Sequence, residues 1–318
     1  MTLKVAVLMG GQSAEAAVSR NSAQQVAAAL EASNHQVTLI ELDSDCTATL
    51  LELRPDVVFP ALHGPPGEDG TVQGYLEILG LPYVGSGVRG AALAMDKAVA
   101  KLIFSQHQIP VLPHVVVHPQ DELDSRITEI TSSLGEALVI KPLNQGSAIG
   151  VSLLPEGGDV RAALQASLSH GACIVEPYFA GKEITVGVLE ISGAEAEYLS
   201  HPVIEIRTAE GEWYDHINRY APGQSEHIIP ANLSAACQQR LQEISITAHQ
   251  VLGLRDLSRA DFIVSESEEI ALLEVNALPG MTPTSLYPDG AAHLGYDFAS
   301  LMDLLVKQAA RGRPPDSY

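Results

Sequence analysis

Ser258-Arg259-Ala260-Asp261-Phe262-Ile263-Val264-Ser265, the polar stretch 266–269, and Ile270-Ala271-Leu272-Leu273-Glu274-Val275-Asn276 decide how this chain is read. Two β-like runs flank a short polar segment, which predicts an antiparallel hairpin. Pairing Ser265 with Ile270 sets Asp261 opposite Glu274 and Arg259 opposite Asn276. Strand side chains alternate faces. Arg259, Asp261, Glu274 and Asn276 therefore share one face, and Ala260, Phe262, Val264, Ala271, Leu273 and Val275 form the core face. Two carboxylates on neighbouring strands repel unless a cation lies between them. Hard oxygen ligands suit Mg²⁺ (or Mn²⁺), which commonly bridges nucleotide phosphates through one or two carboxylates. The alternative is a solvated polar face on which Arg259 neutralises the acids. The glycine-bearing Leu278-Pro279-Gly280-Met281-Thr282 that follows favours a metal site with Asp261, Glu274 and Asn276 as ligands.

Working upstream, Lys141 ends an apolar strand and Asn144-Gln145-Gly146-Ser147-Ala148-Ile149-Gly150 follows it. A small-residue loop can offer backbone N–H groups to phosphate oxygens while the lysine adds a point charge. The Gly-Lys-Ser/Thr ending of a P-loop is missing, so that motif is excluded. Glu176 closes the strand at 173–177 and Glu183 follows it seven residues on. That spacing fits a linker crossing a nucleotide, with one acceptor for an adenine amine and one for ribose hydroxyls. Taken singly, each is an ordinary surface acid, and Lys97 an ordinary surface lysine.

The N-terminal part reads as an open α/β unit. Strands are expected at 4–9, 36–41 and 57–60, a short one at 83–84, and helices at 19–32, 71–79 and 90–107. Residues 1–11 read as a first buried strand ending in glycines, not as a signal peptide. Gly10-Gly11-Gln12-Ser13-Ala14-Glu15 leaves the first strand at the end where such sheets bind ligands. It is not a dinucleotide fingerprint. Glu15 suits either a substrate ammonium or a helix start. His63-Gly64-Pro65-Pro66-Gly67-Glu68-Asp69-Gly70 leaves the third strand as a rigid loop aiming His63 above the sheet. Further on, strands are expected at 111–117, 137–141, 151–154, 173–177 and 183–191, and helices at 124–133, 160–169 and 297–309. The division expected is 1–96, 97–183 and 184–318, with a polar, aromatic lid near 210–225.

Hydrophobic residues make up 46% and charged residues 18%, so burial is ample and disorder is not expected. No apolar run approaches the ~20 residues that span a bilayer. Cys46, Cys173 and Cys237 are scattered, without metal-ligand spacing, and suit a reducing cytoplasm. With 18 basic against 39 acidic residues the formal charge is −21, which disfavours nucleic acid and anionic lipid as partners. An anionic nucleotide would need basic side chains concentrated locally.

In this order, the segments resemble the D-alanine–D-alanine ligase family of the ATP-grasp superfamily. The carrying motifs are Gly10 to Glu15 with Val18-Ser19, His63-Gly64 through Gly67-Glu68-Asp69-Gly70-Thr71-Val72-Gln73-Gly74, Gly85-Ser86-Gly87, and Met95-Asp96-Lys97. Lys141-Pro142 with Gly146-Ser147, Arg259-Ala260-Asp261, Glu274-Val275-Asn276, and Pro279-Gly280-Met281-Thr282 to Ser285-Leu286 complete the match over nearly the whole chain. The resemblance implies an α/β (α+β) ATP-grasp fold of three domains, with ATP and D-alanine as substrates, Mg²⁺ as cofactor, and a cytoplasmic homodimer. It implies that Glu15 holds the first D-alanine's ammonium, linked to Ser147 and to Tyr220 of the lid, with His63 near that substrate's carboxylate. Lys97 and Lys141 would bind phosphates, Glu176 adenine and Glu183 ribose. Asp261, Glu274 and Asn276 would hold the metal. Arg259 and the Gly280 N–H would bind the oxyanion, and Ser285 with the Leu286 backbone the second carboxylate.

Some positions depart from the family pattern. Gln145 and Ala148 stand where Glu and a second Ser are common, Ala16 and Ala17 where charged residues are frequent, and Arg219 where Lys is usual. Rival expectations are a depsipeptide ligase taking a hydroxy acid such as D-lactate, and a non-catalytic nucleotide-binding regulator. Tyr214-Asp215 and Arg219-Tyr220 resemble the dipeptide makers, and the complete ligand set argues for catalysis.

Overall fold

Along the first strand, β1 (Lys4–Met9), both faces are apolar because helices cover both. Val5 and Val7 pack against α1 (Ala16–Ala32) and α10 (Phe298–Ala310), while Ala6 and Leu8 pack against α2 (Cys46–Leu53) and α3 (Thr71–Ile78). β1 pairs in parallel with β2 (Gln36–Glu41) and β3 (Val57–Pro60), in the order β2-β1-β3. The loops leaving β1 and β3 at their carboxyl ends are those carrying Glu15 and His63. The computed structural model describes residues 1–13, 15–193, 196–208, 225–282 and 285–311. Tyr220, with nearly all of the lid expected at 210–225, lies outside the described residues, as does most of the tail.

A four-stranded antiparallel sheet follows, in the order β4 (Val115–Val117), β7 (Cys173–Pro177), β5 (Leu138–Pro142) and β6 (Ser152–Leu154). Its apolar side is closed by α6 (Leu123–Leu134) and α7 (Val160–Leu168). The third sheet runs β11 (Ser225–Ile228), β10 (Ile204–Thr208), β8 (Lys182–Ile191), β12 (Leu257–Val264), β13 (Ile270–Asn276), and β9 (Glu197–Ser200) pairs β8 beside this path. Its apolar face lies on α4 (Val88–Met95), α5 (Lys97–Gln106) and α8 (Ala235–Val251). The last helix packs back on α1 and β3, so the chain's end covers the sheet at its beginning.

The hairpin forms with Asp261 opposite Glu274 and Arg259 opposite Asn276, as the alternation predicts. The turn end differs. Val264, not Ser265, pairs with Ile270, because a β-bulge at Leu273 shifts the register by one. The bulge turns Leu272 into the core and leaves Leu273 half-buried, exchanging the two leucines relative to the expected pattern. Upstream, the helix expected over 90–107 is two helices. Asp96 takes extended backbone between them, and its carboxylate accepts the Ala98 and Val99 N–H groups at 3.1 and 3.0 Å. It is the N-cap of α5 and makes Lys97 that helix's first residue. The strand expected at 83–84 is only an isolated bridge from Tyr83 to Val58. Among the described residues no helix is long and apolar enough to cross a membrane.

Candidate active site

Two serines of α1 hold the loops above the first sheet. Ser19 Oγ accepts the Gly10 N–H at 2.8 Å and donates to the Ala61 carbonyl at 2.6 Å. Ser22 Oγ meets His63 Nε2 at 3.1 Å. Ser13 Oγ donates to the His63 carbonyl at 2.7 Å and accepts the Glu15 N–H at 3.2 Å. Glu15 is buried, and its carboxylate accepts the Ser147 hydroxyl from the loop after β5, 132 residues away. A Cβ on Gly64 would stand 3.2 Å from Glu15 Oε2, and one on Gly146 3.6 Å from it, so two glycines give the carboxylate its room. At Gly64, φ is +67°, which itself favours glycine.

His63, Gly280 and Ser285 converge. A Cβ built on Gly280 would lie 3.3 Å from Ser285 Oγ and 3.9 Å from His63 Cε1. Ser285 Oγ accepts the Thr282 N–H at 3.1 Å and lies 2.8 Å from Thr282 Oγ1. Leu286 opens α9 (Leu286–Ala292), and its side chain is buried with Ile204 and Ile206. Burial lowers the His63 pKa, and Arg259 lowers it further against the opposing pull of Glu15, so the imidazole is neutral at neutral pH. Glu68, on the same loop, was given no role by sequence reasoning. It accepts the Gly64 N–H at 2.5 Å, and burial pushes its carboxyl up to about 8.

A cleft lined by Glu68, Lys97, Gln145, Gly146, Glu274 and Asn276 joins these loops to the hairpin. Lys97 Nζ donates to the Gln145 carbonyl at 2.7 Å and lies 3.2 Å from Glu274 Oε2. Arg259 grips Asp261 in a fork, Nε to Oδ1 at 2.8 Å and Nη2 to Oδ2 at 2.7 Å. Thr185 lies directly across from Asp261 on β8 and donates to Oδ1 at 2.6 Å. The same register puts Glu183 opposite Ile263, on the sheet face that carries Asp261.

The donors on that face suit a hard divalent cation. Asn276 turns its amide nitrogen to Asp261 Oδ2 at 3.0 Å, which leaves its carbonyl oxygen available beside two carboxylates. Among the described residues no third acid, histidine or cysteine joins Asp261 and Glu274 in a ligating group, so the third protein donor would be that amide. Arg259 does neutralise Asp261, as the alternative reading expected, but Glu274 faces Lys97 instead and lies in the cleft.

Glu176 is buried between two lysines. Lys141 Nζ stands 2.8 Å from Oε2 and Lys101 Nζ 2.5 Å from Oε1. Burial alone would raise the Glu176 carboxyl, yet the two ammonium groups hold it down to about 2. Burial works against the Lys141 charge as well, but Glu176 and Glu274 raise its pKa above the ordinary value.

Models of the D-ala D-ala ligase C-terminus and N-terminus match residues 103–307 and 48–86. A D-alanine–D-alanine ligase of Acidiphilium cryptum is 44% identical over 311 residues, covering 96% of this chain and 98% of that one. The chain belongs to the D-alanine–D-alanine ligase family. Among solved structures, a Bacillus anthracis ligase of this family complexed with ATP superposes with a TM-score of 0.82 at 27% identity, over 98% of both chains. The VanG D-Ala:D-Ser ligase of Enterococcus faecalis superposes at 0.81 with 29% identity, covering 96% of this chain and 99% of that one. The three-sheet architecture is thus the family's ATP-grasp fold. Of the residues singled out in the sequence, Glu15 and Ser147 touch, His63 and Ser285 both flank the space where a Gly280 side chain would stand, and Lys97 meets Glu274. Thr185 and Lys101 gave no sequence signal, since nothing in their local patterns marks them.

Proposed function

We infer that this chain is an ATP-dependent ligase joining two D-alanine molecules through an acyl phosphate, for peptidoglycan precursor synthesis. The observation that carries the reading, in a member of this family, is the cleft lined by Lys97, Gln145, Gly146, Glu274 and Asn276, with the Glu15–Ser147 contact formed by the loop that carries Gln145 and Gly146. Glu15 binds the ammonium of the first D-alanine, its carboxylate held by Ser147, and Tyr220 extends that link. Neutral His63 sits beside the same substrate's carboxylate. Lys97 and Lys141 take the phosphates of ATP, Glu176 accepts from the adenine amine, and Glu183 from ribose hydroxyls.

A carboxylate is a poor acyl donor, so it first attacks the γ-phosphate and releases ADP. The second amine then attacks the acyl carbon and phosphate leaves. Arg259 and the Gly280 N–H stabilise the developing oxyanion, and one such donor is commonly worth about 3 kcal/mol. Ser285 and the Leu286 backbone hold the second carboxylate. Mg²⁺ (or Mn²⁺), when bound by Asp261, Glu274 and Asn276, supplies charge neutralisation at the phosphates. Acyl phosphates hydrolyse readily, so water must be kept out, and the 213–224 segment is the natural lid.

The units we propose are 1–96 for the first substrate, 97–183, and 184–318, the last two enclosing the nucleotide. On the same reading the protein is a cytoplasmic homodimer that takes small molecules only. The test is ADP release by the purified enzyme with D-alanine, D-serine and D-lactate offered as second substrate. Amide product with D-alanine is expected. Ester preferred over amide at neutral pH, or no ADP release with millimolar D-alanine, refutes the reading.

A further inference from the structure

Lys101 lies one turn beyond Lys97 on α5, so both side chains leave the same face of the helix. Lys97 reaches the cleft, whereas Lys101 is fully buried. Its ammonium stands 2.5 Å from Glu176 Oε1 and donates to the Leu272 carbonyl of β13 at 3.4 Å. Glu176 Oε2 receives Lys141 at 2.8 Å from the other side.

In contact here are two lysines and one carboxylate; burial lowers the Lys101 pKa against the pull of Glu176, and Glu274 draws on both lysines from further away. An excess charge is costly to keep dry unless a further anion compensates it. The two lysines are not equivalent. Lys141 stands next to the 143–150 loop and retains some exposure, with 9% of its side-chain surface accessible against 1% for Lys101. Lys101 is anchored by a strand carbonyl and is almost wholly enclosed. Were Lys141 the only partner of Glu176, turning it to a phosphate would leave a carboxylate buried and unpaired.

We propose that Lys101 is a positioning residue of the nucleotide site. It is the standing counter-ion of Glu176, keeping that carboxylate ionised and oriented for the adenine amine while Lys141 is shared with phosphate. The proposal rests on the reading of Lys141 and Glu176 as nucleotide contacts.

The test is steady-state kinetics of Lys101→Met, Glu176→Gln, their double variant and Lys141→Met, with ATP and with inosine triphosphate, whose base carries an oxygen in place of the amine. Lys101→Met should raise the KM for ATP about tenfold or more, in line with the loss of a hydrogen bond to a charged group. Its kcat and its KM values for D-alanine should stay near wild type, which a general packing defect would not allow. Its preference for ATP over inosine triphosphate should fall toward that of Glu176→Gln. Lys101→Met keeps the Lys141–Glu176 pair and is expected to fold. The double variant leaves one buried ammonium without its carboxylate where Glu176→Gln alone leaves two, and should be no worse than Glu176→Gln alone. A wild-type KM and base preference in folded Lys101→Met, or a double variant in which the two losses multiply, overturns the proposal. If Lys141→Met and Glu176→Gln both keep a wild-type KM for ATP, it is the nucleotide reading itself that fails.

Discussion

Replacing Gly280 by Ala adds one methyl group between Ser285, assigned to the second substrate, and His63, assigned to the first. The new carbon would stand 3.3 Å from Ser285 Oγ and 3.9 Å from His63 Cε1. The second contact is ordinary, while the first requires a retreat of a few tenths of an ångström. Ser285 Oγ cannot give that freely, because it is held by the Thr282 N–H at 3.1 Å and faces Thr282 Oγ1 at 2.8 Å. Overpacking of this kind costs about 1–3 kcal/mol in a tight core, and a loop end should fall at the low end, lowering Tm by a few degrees. The effect on turnover should be larger. A displaced oxyanion donor together with a displaced Ser285 hydroxyl should lower kcat/KM for the second D-alanine about a hundredfold, equivalent to about 3 kcal/mol. The assay is coupled ADP release, varying D-alanine at saturating ATP, alongside thermal unfolding. The KM for ATP should move no more than about twofold. Wild-type kcat/KM in a Gly280→Ala protein would mean that substrate does not pass between Gly280 and Ser285, and the assigned roles of both would be withdrawn.

Glu274→Ala should abolish magnesium-dependent turnover while circular dichroism and Tm stay close to wild type; turnover in that variant would remove the hairpin from the mechanism. Ser147→Ala leaves the buried Glu15 carboxylate without its hydroxyl donor, so kcat/KM for the first D-alanine should fall about ten- to a hundredfold; an unchanged value would detach Glu15 from the ammonium. Acid should destabilise the protein through Glu176. Its carboxyl is held at about 2 in the folded chain, below the ordinary 4.5, so its stabilisation is present above pH 4.5 and lost as pH falls toward 2. The loss should reach at most about 3 kcal/mol. Urea unfolding between pH 5 and 2 measures it, and a Glu176→Gln variant whose acid slope matches wild type would rule Glu176 out as its source.

The hairpin was legible because strand alternation fixes which side chains share a face, and Asp261 and Glu274 needed only a correct register at one end. The bulge was not legible, because Leu272 and Leu273 are equally apolar and either could fill the core position. The break at Asp96 carried a signal in the N-cap preference of aspartate, masked by an alanine-rich run that favours helix on both sides. Lys101 was hidden for a different reason. An unpaired lysine is expected in solvent, and what buries this one arrives from residues 75 and 171 positions further along the chain. Thr185 is likewise defined only by its partner across the sheet. Sequence pattern reports one residue's own element well, and reports poorly the groups whose roles come from a partner on another element.

A chain with formal charge −21 that binds a polyphosphate poses an electrostatic problem, and the placement of charge resolves it. Surface acids act at a distance and are screened beyond about 8 Å at physiological ionic strength. Lys97, Lys101 and Lys141 are buried, so their fields are screened far less. Leaving three ammonium groups buried without anions would itself be unfavourable, and the same site supplies Glu274 beside Lys97 and Glu176 between the other two. Those two carboxylates offset most of the charge of the three lysines and leave a positive excess for a nucleotide bound with its cation by exchange. On the proposed reading, phosphate oxygens would take over Lys97 and Lys141, Glu274 would turn to the divalent ion, and Lys101 would stay with Glu176. Each of these buried charges would then keep a partner, which would let an acidic protein hold a triphosphate without a basic surface.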